Sequence, residues 1–149
     1  MNNRMVKVSD IRGVYDTIKM LSEAHKGVAK FDCGEENDFS VENLYPLVYL
    51  ELPFLITESK QTETYKIALN VLDKITDALD LDSRISALSK CKQIAANIKL
   101  KLKEYFLEVS DGNYLTLPDT GNDVVVGVNL EFELKAPRHV SPCDDVFAL

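Results

Sequence analysis

From residue 122 to 137 the chain reads NDVVVGVNLEFELKAP, with an apolar residue at every second position. Val124, Val126, Val128, Leu130, Phe132 and Leu134 alternate with Val125, Gly127, Asn129, Glu131, Glu133 and Lys135, which are mostly polar. Strict period two over this length predicts a long strand with one face buried and one face wet. A second run behaves alike: Tyr65, Ile67, Leu69 and Val71 alternate with Thr64, Lys66, Ala68 and Asn70. Two half-buried strands far apart in sequence require a sheet covered on one side by something apolar.

Two helical patterns can supply the cover. Ile11, Val14, Tyr15, Ile18 and Leu21 follow helical spacing, with Ser9 as the expected N-cap, Asp10 near the positive dipole end and Gly27 as a stop. This predicts a helix over about 10–25. Ile85, Leu88, Cys91, Ala95, Ile98, Leu102 and Tyr105 predict a second, capped by Asp82 or Ser83 and running to about Phe106. Residues 28–33 read as a short strand and 34–43 as a polar loop. The run LYPLVYLEL at 44–52 predicts a strand that starts at Pro46, or lies at an edge there, and is covered on both faces. Residues 57–64 read as a hairpin loop joining it antiparallel to a strand over 64–72. Asp111 and Gly112 signal a turn, 114–117 a possible short strand, and 118–122 a further turn. Pro137 and Pro142 end regular structure.

The order of elements predicts an α+β fold: an antiparallel or mixed four-stranded sheet with two amphipathic helices packed on one face. Residues 1–136 form a single domain in this reading, and 137–149 an extended C-terminal arm. At 149 residues such a domain buries enough surface to need no staples.

Composition narrows the function classes. The net charge of −7 disfavours a nucleic-acid-binding domain, which needs clustered Lys and Arg to meet phosphates. Cys33, Cys91 and Cys143 are an odd number without CxxC spacing, which fits free thiols in a reducing compartment. The N-terminal MNNRMVKVSD carries no apolar signal, and no run has membrane-spanning length, so residence in a cytoplasm is expected.

Candidate chemistry is sparse. His25 and His139 lack partners at metal or catalytic spacing and read as solvated, with His25 favoured near a helix C-terminus. Asp73, Asp77, Asp80 and Asp82 are dense enough to suggest Ca²⁺ or Mg²⁺, but the alternation, glycine and distal glutamate of an EF-hand are missing. An acidic turn and helix N-terminus is the favoured reading. Lys90, Lys92, Lys99, Lys101 and Lys103 read as a solvated helix face. Cys33 reads as a strand-end thiol. No nucleophile–base constellation or phosphate loop is visible. The expectation is a non-enzyme without cofactor or metal.

Two features suit assembly. The hairpin tip, with Glu58, Ser59, Lys60 and Gln61, can project from the sheet into a neighbour, although an exposed turn looks the same in sequence. The tail carries Val140, Val146, Phe147 and Leu149 in a segment that prolines keep irregular. As a docking arm it would gain roughly 1.5–3 kcal/mol per fully buried large side chain; the alternative is a frayed terminus.

The succession of segments resembles the tail-terminator, tail-completion and neck-ring proteins of tailed bacteriophages. The resemblance rests on DIRGVYDTIKMLSEA as first helix, the F-D-x-G element at Phe31, Asp32, Cys33 and Gly34, and the YP strand from Tyr45. It rests further on TYKIALNVLDKITDALD leading into SRISALSKCKQIAANIKLKLKEYF, and on the long closing strand, covering about residues 8–136. The arm is not a standard part of that pattern. The resemblance implies a virion structural protein, assembled in the host cytoplasm into a closed, commonly hexameric ring at the neck or tail. Its partners would be further copies of itself and tail-tube or portal/connector proteins, with DNA passing through the lumen without specific binding and no membrane; the net charge of −7 adds the expectation of a negative lumen. A head–tail connector or stopper ring is the same-class alternative, and a small non-viral adaptor the alternative of another class.

Overall fold

The computed structural model describes residues 10–35, 39, 42–77, 79–117 and 124–138. Helix α1 (Ile11–Ala24) starts one residue later than expected. Ser9 lies outside the described residues, and Asp10 is the N-cap: its carboxylate accepts the Gly13 N–H at 2.8 Å. Val14 and Ile18, one turn apart, are fully buried. Helix α2 (Leu81–Leu102) is capped by Asp80 rather than by Asp82 or Ser83, whose groups bond to the Asp80 carboxylate instead. It ends at Leu102, short of Phe106. Lys103, Glu104 and Tyr105 close tighter turns that still deliver Phe106 into the core.

Among the described residues the sheet is mixed and contains seven strands where four are expected: β1 (Lys30–Gly34), β2 (Leu47–Glu51), β3 (Leu55–Glu58), β4 (Thr62–Lys74), β5 (Glu108–Val109), β6 (Asn113–Leu117) and β7 (Val125–Pro137). β1 pairs parallel to β2, and every other pairing is antiparallel. The count exceeds the expectation because two strands are interrupted, and because the segment before β7 pairs along it.

β2 and β3 share the same edge of β4 but are out of step. Four residues, 51–54, face two, Ile67 and Ala68. The excess residues displace the ladder at Leu52 and Pro53. β5 and β6 share the far edge of β7, and there Ser110, Asp111 and Gly112 face Phe132 and Glu133. One extra residue makes a β-bulge, so the Asp111, Gly112 pair marks a bulge and not a turn. A Cβ on Gly112 would stand 2.6 Å from Leu130 Cδ1, which is why glycine occupies it. The hairpin between β3 and β4 is tighter than the expected 57–64 loop, leaving only residues 59–61 outside the strands.

β4 and β7 pair along their whole length, from Thr62 opposite Pro137 to Lys74 opposite Val125. Tyr65, Ile67, Leu69 and Val71 line up with Val128, Leu130, Phe132 and Leu134 on the inner face, under Val14 and Ile18 of α1 and Cys91, Ile94, Ala95 and Ile98 of α2. Among the described residues, the outer face is closed at one end only. There Leu47, Tyr49, Leu72 and Val125 bury with Phe39 from the crossover between β1 and β2. This explains why β2 is apolar on both sides. No helix among the described residues is long and apolar enough to cross a membrane.

Candidate interface surfaces

Among the described residues five surfaces stand open to partners: the hairpin tip, two sheet edges, the half of the outer face beyond Phe39, and a groove beside α1. At the tip, Ser59 N–H donates to Thr62 O at 2.8 Å, and the Ser59 and Thr62 hydroxyls are 2.7 Å apart. Arg138 then locks the turn from outside. Its backbone N–H donates to Gln61 O at 2.8 Å, Nη1 to Ser59 O at 3.2 Å, and Nη2 lies 3.3 Å from Glu58 Oε2. The structure therefore gathers Glu58, Ser59 and Gln61 around the first residue after β7, with Lys60 exposed at the apex. Nothing local in the sequence marks Arg138 as part of the tip. Only the β4–β7 register, which puts Thr62 opposite Pro137, reveals its place. Val146, Phe147 and Leu149 lie outside the described residues, as do Val140, His139 and Cys143.

The two lateral edges differ in character. On one side the sheet ends in β1 and β3, with the hairpin tip at its corner. On the other it ends in the bulged β5–β6 pair. Along β6, Asn113, Leu115 and Thr116 are exposed, Leu115 at 64%. Lys92 of α2 sits 5.0 Å above the Tyr114 ring and holds that strand against the helix layer.

On the outer face a polar ladder crosses three strands. Asn70 Nδ2 donates to Glu51 Oε2 at 2.6 Å, and Asn129 Nδ2 donates to Asn70 Oδ1 at 2.7 Å. Asn70 is 1% exposed, so these bonds satisfy a buried amide. Beyond it the face is charged, with Glu131, Glu133 and Lys135 along β7 and Lys66 opposite Glu133. Lys135 pairs with Glu108 at 3.2 Å.

An apolar groove of about 540 Å³ opens between the start of α1, the end of β1 and the residues joining β2 to β3, lined by Ile11, Arg12, Tyr15, Cys33, Leu52 and Phe54. Ile11 and Leu52 are exposed.

Groups with possible chemistry have local structural duties. His25 is the C-cap of α1, not merely solvated. Its Nδ1 accepts the Gly27 N–H at 2.9 Å, which leaves the proton on Nε2 to be donated to Asn97 Oδ1 at 3.1 Å, tying α1 to α2. Asp73 pairs with Lys90 at 3.5 Å, and Asp77 accepts the Leu79 N–H at 2.9 Å. Asp80 is held below the usual carboxylate range by the Ser83 hydroxyl and backbone donors. Among the described residues no three His, Cys, Asp or Glu side chains gather as a metal site. Burial, reinforced by Asp32, raises the Cys33 thiol; burial pushes Cys91 up to about 12, and both are poor nucleophiles.

No known protein-family model matches this chain, and no curated protein matches it.

Proposed function

We propose that this chain is a structural protein that closes into a ring in the neck or tail of a tailed phage, ending the tail tube or joining tail to head. A head–tail connector ring is the same-class variant. The observation that supports the reading best is the inequality of the two sheet edges. A cyclic assembly is heterologous, so every copy needs two different complementary sides. The β5–β6 edge offers one, with Leu115 exposed on it. The β1–β3 edge with its Arg138-locked tip offers the other. Pairing them from copy to copy would satisfy edge backbone groups that otherwise invite aggregation. Six copies is the number the resemblance carries.

The locked tip favours insertion into a neighbour, because a turn fixed before contact loses little entropy on binding. With a net charge of −7, the wall of the ring would repel DNA and let it pass without adhering. A channel lined by lysines would contradict that part.

Deleting the coding gene from the parent phage tests the role directly. Separate heads and tails, or tails of uncontrolled length, are expected. Normal infectious particles would overturn the proposal.

A further inference from the structure

The two helices turn unlike apolar surfaces to opposite flanks of the molecule. On α1, Tyr15 and Ala24 are nine residues apart and so half a turn out of phase. Ala24 faces α2 across a hollow shared with Asn97 and Lys101, whereas Tyr15 and Ile11 line the groove on the β1–β3 flank. On α2, Asn97 and Lys101 face α1, and Lys92 stands over Tyr114 of β6. Leu81 and Ile85 come eleven and seven residues before Lys92, close to whole turns, and so share its face. They look outward on the β5–β6 flank. That face is apolar and wet: Leu79 is 94% exposed, Leu81 68% and Ile85 56%. Three large apolar side chains within seven residues differ from the singly scattered ones of an ordinary surface.

Chemistry and level match the two surfaces. Asp77, Asp80 and Asp82 interleave with the three apolar residues at the start of α2. Among the residues lining the groove, Arg12 alone is charged. It bonds Asp16 at 3.1 Å on an exposed helix turn, a pairing weak enough to be shared with a further carboxylate. Tyr114, Leu130, Leu69, Leu50 and Cys33 form one row across the sheet. Lys92 stands at one end of that row and the groove at the other. Ile85 lies about 10 Å further along α2, so a neighbour seated in the groove is shifted by that much along the strands.

We propose that the start of α2 in one copy, through Leu79, Leu81 and Ile85, seats in the groove of Ile11, Tyr15, Leu52 and Phe54 in a second copy, with Arg12 meeting the α2 carboxylates. The inference rests on the side-to-side reading above and adds a seam in the helix layer to the one between sheet edges. Knob and groove lie on opposite flanks, so a copy cannot fill its own groove, and the contact repeats from copy to copy.

Cys33 lines the groove and reports on it, while Cys91 is buried with its thiol at about 12 and does not compete for reagents. In the full chain carrying Cys143→Ser and Ile85→Cys, a short bifunctional maleimide is expected to join position 85 of one chain to Cys33 of another, giving a ladder of linked chains mapped by peptide mass spectrometry. In the native chain, Leu81→Lys with Ile85→Lys changes only exposed positions and leaves the β6 edge intact. It should keep the circular dichroism spectrum and raise the dissociation constant between copies about tenfold or more, as for loss of an apolar anchor. A closed oligomer that forms without any link from position 85 to Cys33, or that is indifferent to the two lysines, would overturn this seam and leave the edge contact standing. A native chain that stays monomeric at every concentration would overturn both.

Discussion

Leu72 on β4 lies directly opposite Gly127 on β7. A Cβ on Gly127 would stand 2.6 Å from Leu72 Cδ2 and 2.6 Å from the carbonyl oxygen of Val71. The leucine tip can move, but the carbonyl belongs to the ladder and cannot. Gly127→Ala should therefore destabilise the fold by about 1–3 kcal/mol, as overpacking does. Urea denaturation followed by circular dichroism checks this; an unchanged midpoint would show that the strands can separate locally at no cost.

Asn70 should behave as the keystone of the outer face. Truncation by Asn70→Ala removes the 2.6 Å bond to Glu51 and the 2.7 Å bond from Asn129, leaving those two side chains only their own longer contact at 3.4 Å. The expected loss is about 1–3 kcal/mol. Because both amides belong to one network, Asn70→Ala and Asn129→Ala should be non-additive by about 0.5 kcal/mol or more in a double-mutant cycle. Strict additivity would mean that the ladder acts as separate bonds.

Much of this architecture is legible in the chain. Alternation locates β4 and β7 because each has one fully apolar face, and the double burial of β2 shows in its continuous apolar run from Leu47 to Leu50. The strand count was not legible, for a physical reason. The bulge at Ser110, Asp111 and Gly112 uses the same residue types as a turn, and only the partner strand distinguishes them. The helix caps shifted by one to three residues because Asp10 and Asp80 compete with Ser9, Asp82 and Ser83 for the same role. Among the candidate surfaces, residues 58–61 were visible as a polar tip. Arg138, which organises them, contacts them only through strand register and so leaves no local signature.

Arg138→Ala should loosen the tip without unfolding the sheet. The guanidinium contacts to Ser59 O and Glu58 are lost, whereas the backbone bond to Gln61 can persist. Hydrogen exchange is expected to quicken at residues 59–62 and stay unchanged in β4 beyond Tyr65. Arg138→Lys should recover little, since an ammonium cannot reproduce the two-pronged contact. Equal protection in both variants and the parent would remove Arg138 from the account.

Alkali should weaken the protein before it denatures generally. Cys91 is moved from its ordinary 9.0 up to about 12 by burial, and Tyr65 from 10.0 up to about 12 by burial and by its hydrogen bond to Glu63. Both groups hold their protons more tightly when folded. Their contribution to stability is complete below pH 9 and is lost as pH rises towards 12. Urea midpoints should be flat between pH 7 and 8 and fall from pH 9 to 11. Cys91→Ala should show a shallower fall over that interval, while an identical slope would exclude the thiol.

The central claim is that copies join side to side through two unlike edges. Native mass spectrometry of the full chain, with and without Leu115→Lys, tests it most directly. The substitution places a charge on the exposed β6 edge and touches no residue of the core. The expected result is one closed oligomer of fixed copy number for the parent chain and folded monomers for the variant. A parent chain that stays monomeric at every concentration, or a two-fold dimer indifferent to Leu115→Lys, would contradict it.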